Sequence, residues 1–157
     1  MLCILLKYFE SLINKLGLVA LNKNVLVTVK STQKVNNEEE VIELVTPGKF
    51  YKKNSTYFIV YEETEVTGME GTTTTVKIEK EDVNLIRFGS TITNLKFRTG
   101  VKDISLYKTP YGTFELIIIP SKVEINVDDS GGIVNLLYQL DAAGLHTTTN
   151  ELSIKIQ

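Results

Sequence analysis

Residues that could take part in chemistry concentrate in three short β-type runs between positions 55 and 88. Arg87 shares strand parity with the apolar Val83 and Leu85, so strand alternation turns all three toward the same face. A guanidinium on an apolar face needs a carboxylate or several carbonyls as partners, because its charge is costly to bury unpaired. Glu62 or Glu63, in a neighbouring run, is a suitable partner. This pattern indicates an anion or carboxylate clamp inside a cavity.

Two other interpretations of this arginine stay open. A pair of Arg87 with a glutamate can fix the register of neighbouring strands without binding anything else. In the third interpretation, Ile86 and Phe88 face the interior and Arg87 faces water. All three are compatible with the alternation of side chains along a strand.

Tyrosines and threonines complete the candidate site. Tyr61, Tyr107 and Tyr138 combine an apolar ring with a polar tip, which suits a small-molecule cavity, although core filling explains them as well. Thr72 and Thr74 share a strand face and would make one sector of the interior mildly polar, although strand propensity alone explains them too. The predicted ligand-binding residues are Tyr61, Glu63, Thr72, Thr74, Arg87 and Tyr138.

No arrangement of residues in the sequence indicates catalysis, a metal site or a cofactor. Alternation leaves only Glu63 and Glu65 on one face, and nothing beside them would raise a pKa, so solvated charge is the plainer interpretation. The single cysteine, Cys3, and the single histidine, His146, are too few for a zinc site. Nucleotide-binding loops, nucleophile elbows and HExxH motifs are absent. We therefore expect no cofactor and favour a non-enzymatic protein.

The composition is that of an ordinary globular domain. The chain has 157 residues, of which 43% are hydrophobic and 23% are charged, enough for one domain with a substantial core. Its net charge of −2 gives no basic excess to neutralise phosphates, which argues against nucleic-acid binding. No apolar stretch is long enough to cross a bilayer as a helix.

From Val25 onward the apolar residues recur with a period of two. Turn signals such as Asn36-Asn37 separate the runs, and we expect Pro120 to end one of them. No segment between the runs reads as a crossover helix, so a parallel sheet is not expected. The pattern predicts an all-β fold, an antiparallel up-and-down barrel of about eight to ten strands whose closure removes exposed edges. Its interior is either filled or holds one small ligand.

Residues 1–21 differ from the rest of the chain. Apolar positions from Leu2 to Leu16 fall at helical spacing, and Gly17 follows where a C-cap is expected. We expect a short amphipathic helix that caps one end of the barrel or lies on a membrane or partner surface. A signal peptide is not expected, because Lys7 and Glu10 interrupt the apolar stretch. The remaining alternative is an extension that is not part of the natural protein, in which case the β-barrel domain is 22–157.

Several short motifs occur in order along residues 22–157 and are more specific together than singly. The motifs are Tyr61-Glu62-Glu63, Gly71 to Ile78, Leu85 to Gly89, Leu95-Lys96-Phe97, Thr109 to Gly112 and Leu137 to Leu140. Together they resemble the YwiB-like family of small bacterial proteins of unknown function. The resemblance implies a calycin-type, lipocalin-like barrel and a cytoplasmic bacterial protein, but no reaction.

The leading functional hypothesis is non-enzymatic binding of a small, partly apolar ligand inside the barrel. The alternative is a protein-interaction module that docks a partner, or a second copy as a homodimer, on a barrel rim or an open strand edge. Neither hypothesis involves nucleic acid or a transmembrane segment.

Overall fold

The computed structural model describes residues 3–8, 21–144 and 146–157 of the chain. Within these ranges, residues 3–8 are helical and Glu65–Thr67 forms a single 3-10 turn. The other regular elements are the strands β1 (Leu21–Val35), β2 (Glu38–Lys53), β3 (Thr56–Glu62), β4 (Thr72–Ile78), β5 (Val83–Gly89), β6 (Thr93–Phe97), β7 (Asp103–Thr109), β8 (Gly112–Asp128), β9 (Gly131–Ala142) and β10 (His146–Ile156).

These strands form one antiparallel sheet in the order β6-β5-β4-β3-β2-β1-β10-β9-β8-β7. Neighbours in the sheet are neighbours in the chain, except where β1 pairs with β10, from Val27 opposite Ile156 to Lys34 opposite Thr149. This order is a meander that curls until its first and last strands meet. The predicted all-β, up-and-down antiparallel barrel is confirmed, and the strand number lies at the upper end of the expected range.

The two edges of the sheet, β6 and β7, meet along a seam. In the described part of the chain, two isolated backbone bridges join this seam. In one of them, Ile92 and Lys108 exchange two N–H···O bonds of 2.9 Å; in the other, at the turn that connects the strands, the Val101 N–H donates to the Arg98 carbonyl at 3.0 Å. Five residues separate the end of β6 from the start of β7, so the same two strands are also consecutive in the chain. The barrel is therefore nearly closed, with its weakest backbone pairing at this seam.

Beyond these bridges, side chains span the seam in place of a ladder. The Ser105 hydroxyl of β7 donates to the Asn94 carbonyl of β6 at 2.8 Å. In the other direction, the Lys96 N–H of β6 donates to the Asp103 carboxylate of β7 at 3.2 Å. Two polar side chains of β7 thus satisfy backbone groups that a missing strand pair would leave open.

Local turn and strand chemistry explains the hairpins. Asn36 and Asn37 both have positive φ, 52° and 66°, which suits the two-residue connection between β1 and β2. The expectation that a strand ends at Pro120 is wrong, because β8 continues through a register shift between Pro120 and Lys122. A bulge lets a proline, which donates no N–H, remain inside a strand.

The two ends of the barrel differ in packing. At the end where β2 turns into β3, apolar side chains fill the interior, and five large ones are at most 1% exposed: Phe50, Ile78, Val83, Phe97 and Ile154. Burial of this many large side chains provides most of the driving force for folding. The opposite end is lined by polar as well as apolar groups and is not filled.

The helical residues 3–8 lie against the outside of the barrel. The Cys3 thiol donates to the exposed Glu62 carboxylate, with 2.9 Å between Sγ and Oε1, and a groove lined by Leu6, Pro47 and Val60 runs alongside. The remaining residues of the predicted amphipathic helix lie outside the described ranges. No helix among the described residues has the length and apolar character needed to cross a membrane.

Gly132 provides a test of the β8–β9 hairpin. Its φ is 144°, and an added Cβ would lie 1.9 Å from the carbonyl oxygen of Asn126. Gly132→Ala should lower the free energy of unfolding by about 3 kcal/mol or more, because the two backbones must move apart. Urea denaturation followed by circular dichroism measures the loss.

Gly100→Ala is the matched control for this test. Gly100 also has a positive φ, 76°, but no atom lies within 4 Å of the added Cβ. Only the left-handed backbone penalty of ~1–2 kcal/mol is expected there. Equal losses of unfolding free energy in the two variants would show that the close approach of the two backbones is not the reason for glycine at position 132.

Candidate functional site

A cavity of about 490 Å³ occupies the unfilled end of the barrel, beside the β3–β4 connection. Most of its lining is apolar, and the charged groups cluster on one side. The lining residues are Val29, Ser31, Gln33, Ile42, Tyr61, Glu63, Thr67, Gly68, Met69, Arg87, Leu95, Tyr107, Phe114, Leu116, Tyr138, Leu140, Ala142 and Leu152. The barrel interior is thus filled at one end and hollow at the other.

Glu63 is the buried carboxylate of this cavity. It continues the inward parity of Ile59 and Tyr61 by one residue beyond β3, and its side chain is 2% exposed. The Thr74 hydroxyl donates to Oε1 at 2.6 Å, and the Thr67 hydroxyl donates to Oε2 at 2.9 Å. Both carboxylate oxygens therefore already accept a hydrogen bond from the protein.

Arg87 faces Glu63 from β5 without forming a hydrogen bond to it. Arg87 Nε lies 3.9 Å from Glu63 Oε1, and the arginine side chain is 16% exposed. Among the described residues, no acceptor lies within hydrogen-bonding distance of the buried Nε. The buried hydroxyl of Thr93, directly opposite Arg87 on β6, is without a partner in the same part of the chain. The two charges balance, but the donors of the guanidinium stay available.

Two tyrosines flank the charged pair. Burial raises the pKa of Tyr61, the charge of Glu63 raises it further, and the charge of Arg87 opposes both. Burial also raises the pKa of Tyr138, against the lowering effect of Arg87, and its ring packs edge-on against Phe97 at 4.9 Å. Both phenols are therefore neutral at ordinary pH and offer polar tips without adding charge.

Four of the six predicted site residues, Tyr61, Glu63, Arg87 and Tyr138, come together around the cavity. The interpretation in which Arg87 faces water is wrong, because Phe88 is the exposed residue of that strand, at 54%. The interpretation of the glutamates as solvated charge is wrong for Glu63, because strand alternation carries this residue into the interior.

Thr72 and Thr74 face the interior side of β4 but do not line the cavity. Thr74 is fully buried and donates to Glu63. The Thr72 hydroxyl lies 2.9 Å from Ser90 Oγ and accepts the Thr91 N–H at 3.1 Å. Both hydroxyls support neighbouring groups, and their role in ligand contact stays a prediction.

Thr67 is a site residue that the sequence pattern did not predict. It ends the 3-10 turn between β3 and β4. Thr64 caps the start of this turn, because its hydroxyl accepts a hydrogen bond from the Val66 N–H at 3.3 Å. Gly68 follows in the left-handed conformation, with φ of 73°, and Met69 then lines the cavity. The sequence contained one signal for this residue. Thr64 is a typical cap residue, and the turn that it begins brings the hydroxyl of Thr67 back to the end of β3.

Within the ranges that the structure describes, no group of three or more His, Cys, Asp or Glu side chains could hold a metal ion. His146 is exposed at the start of β10, and Cys3 is exposed on the outside of the barrel. The cavity therefore offers one carboxylate, one guanidinium and several hydroxyls, which is chemistry suited to binding a polar group.

A family model described as a domain of unknown function (DUF1934) matches residues 27–154. The uncharacterized β-barrel protein YwiB of Bacillus subtilis (strain 168) is 31% identical over 113 residues, which are 71% of this chain and 78% of that protein. The crystal structure of the YwiB protein from Bacillus subtilis is similar with a TM-score of 0.81 and 24% identity, over 91% of this chain and 96% of that one. The structural likeness agrees with the barrel described above.

Glu63 and Arg87 should be energetically coupled. Glu63→Gln leaves a buried guanidinium without a counter-charge, and Arg87→Met leaves the carboxylate with its hydroxyl donors alone. Each change should lower the free energy of unfolding by about 2–4 kcal/mol, and the double variant should lose less than the sum, by ~1–3 kcal/mol. Urea denaturation of the four proteins gives the coupling.

The control cycle combines Glu63→Gln with Arg98→Met. Arg98 forms an ion pair with Asp82 at the filled end of the barrel, whereas Glu63 lies at the hollow end. Those two changes should add within ~0.5 kcal/mol. Additivity in the Glu63–Arg87 cycle as well would contradict the pairing inside the cavity.

Proposed function

Since the chain belongs to the DUF1934 family, in agreement with its resemblance to YwiB-like proteins, we propose that it is a non-enzymatic protein that binds a small, partly apolar ligand inside its barrel. In this proposal Tyr61, Glu63, Arg87 and Tyr138 contact the ligand, and Thr72 and Thr74 hold the wall behind them. A calycin-type, lipocalin-like barrel and a cytoplasmic location are part of the same proposal.

The observation that carries the proposal is the contrast between the two ends of the barrel. A barrel that served only as a rigid body would be packed throughout, since protein interiors are close-packed. Here about 490 Å³ stays open, within the ~300–1,000 Å³ range of small-molecule pockets. The lining is largely apolar with a few convergent polar groups, which is the composition typical of such pockets.

The state of Glu63 favours binding over catalysis. A general acid or base needs a carboxyl group that can exchange a proton with a reactant. Glu63 instead accepts a hydroxyl bond on each carboxylate oxygen and faces a guanidinium 3.9 Å away, so both oxygens are already engaged by the protein. A carboxyl group held in this way is placed to orient a partner.

Exposed apolar side chains beside the seam favour a second candidate function, which is docking of a second copy. Phe88, Ile92, Ile104 and Leu106 are each between 40% and 58% exposed, and a groove along the seam contacts all four. Contiguous apolar surface of this kind often marks a protein interface. It lies on the outside of the barrel, although Arg87 lines both this groove and the cavity.

Binding in the cavity can be tested with the neutral dye N-phenyl-1-naphthylamine, which becomes fluorescent in apolar surroundings. We expect saturable binding of one dye per chain. Ala142→Phe, which places a ring inside the cavity, should weaken dye binding by about tenfold or more, equivalent to ~1.4 kcal/mol. Fluorescence titration measures the dissociation constant.

Thr113→Phe is the control, because it adds the same ring at an exposed position of β8. This variant should bind the dye like the wild type. Circular dichroism of both variants establishes that the barrel is intact. Failure of the wild-type protein to bind, or equal binding by Ala142→Phe, would refute the cavity as a ligand site.

A further inference from the structure

Resting on the proposed function, we propose that the natural ligand is an apolar monocarboxylate whose carboxylate is bound by the guanidinium of Arg87. The hydrogen-bonding groups that the cavity already uses, its net charge and the positions of its polar and apolar sides together define this chemical class.

At the charged pair, both carboxylate oxygens already accept a hydrogen bond, whereas the guanidinium donates none among the described residues. Glu63 has a hydroxyl bond on each carboxylate oxygen, from Thr67 and from Thr74. Arg87 has no hydrogen bond among the described residues, although a guanidinium carries five donors. What the site lacks is therefore an acceptor. A ligand that brings only donors, such as an amine, would leave the donors of Arg87 without an acceptor.

Two hydrogen-bonding atoms without partners among the described residues, Arg87 Nε and Thr93 Oγ1, are buried. Arg87 Nε has no partner in the described part of the chain and is shut off from the protein surface. Thr93, its cross-strand neighbour, is 4% exposed, and its hydroxyl is equally unpartnered in the same residues. Buried donors without acceptors are rare in native proteins and call for an explanation. The rest of the Arg87 side chain lines the cavity, where an acceptor on a ligand can reach its other donors.

The net charge of the cavity lining bears on the charge of its ligand. Arg87 and Glu63 are the only charged side chains of the described residues that line the cavity, and together they are neutral. One added negative charge on Arg87 makes the site singly negative, whereas a phosphate would add up to two in a space with no further cation. A planar carboxylate can also accept two parallel hydrogen bonds from the fork of a guanidinium.

The charged and the apolar side chains that line the cavity lie on different strands. Tyr61, Glu63 and Arg87 lie on β3 and β5 or just beyond, whereas Phe114, Leu116 and Leu140 lie on β8 and β9 across the barrel. A molecule that spans the cavity therefore meets charged groups at one end and aliphatic or aromatic side chains at the other. An acid with an unbranched or cyclic apolar body fits this division.

The experiment compares three molecules of one chain length, decanoate, decanol and decylamine, as competitors of N-phenyl-1-naphthylamine. In the wild type, decanoate should displace the dye at a concentration at least about tenfold lower than decanol, and decylamine should be the weakest. In Arg87→Met, decanoate should fall to the level of decanol, whose own displacement should be unchanged. Arg98→Met removes the other arginine, outside the cavity, and should keep the decanoate preference.

A second measurement on the wild type alone covers the case in which Arg87→Met does not fold. At a pH below the pKa of decanoic acid the ligand is neutral, and the preference over decanol should disappear. Equal displacement by decanoate and decanol at neutral pH, or a preference that survives in folded Arg87→Met, would overturn the carboxylate proposal and leave the cavity proposal standing. A wild type that binds no dye at all would remove both.

Discussion

A sheet of ten strands has two edges, and the need to satisfy the backbone groups of both edges governs this molecule. Pairing of β1 with β10 bends the meander into a ring, which brings β6 and β7 face to face. There the ladder is reduced to two isolated bridges, and Ser105 and Asp103 supply hydrogen bonds that a full strand pair would have made. The enclosed interior, and with it the cavity, exists because this closure succeeds.

The interior that results has two different tasks at its two ends. At the filled end, large apolar side chains such as Phe50 and Phe97 are packed to near-zero exposure and stabilise the fold. At the hollow end, Arg87 and Glu63 hold opposite charges in a space that is only partly packed. A charge pair in a half-empty interior costs stability that aliphatic residues would have provided. That cost is understandable if the hollow end serves binding.

Much of this arrangement follows from the sequence, because strand alternation is a strong rule. The parity of β5 predicted that Arg87 faces inward, with Glu62 or Glu63 as its partner, and in the structure the partner is Glu63. Parity fixes the face of a residue but not its neighbours, so it did not reveal that Thr72 bonds Ser90. Thr67 was missed because it lies in an irregular connection, where no periodicity applies. The continuation of β8 past Pro120 depends on a bulge, which tertiary pairing decides.

The pairing of β1 with β10 also has a consequence for the way the protein is made. During synthesis, β1 emerges early and can form its hairpin with β2 at once, but its other edge must wait for β10. The nascent chain on the ribosome therefore carries a fifteen-residue strand with one edge unprotected. Lys30 and Lys34 are exposed on that strand, and charged side chains along an edge discourage association with other chains. These lysines would protect the protein most before its barrel exists.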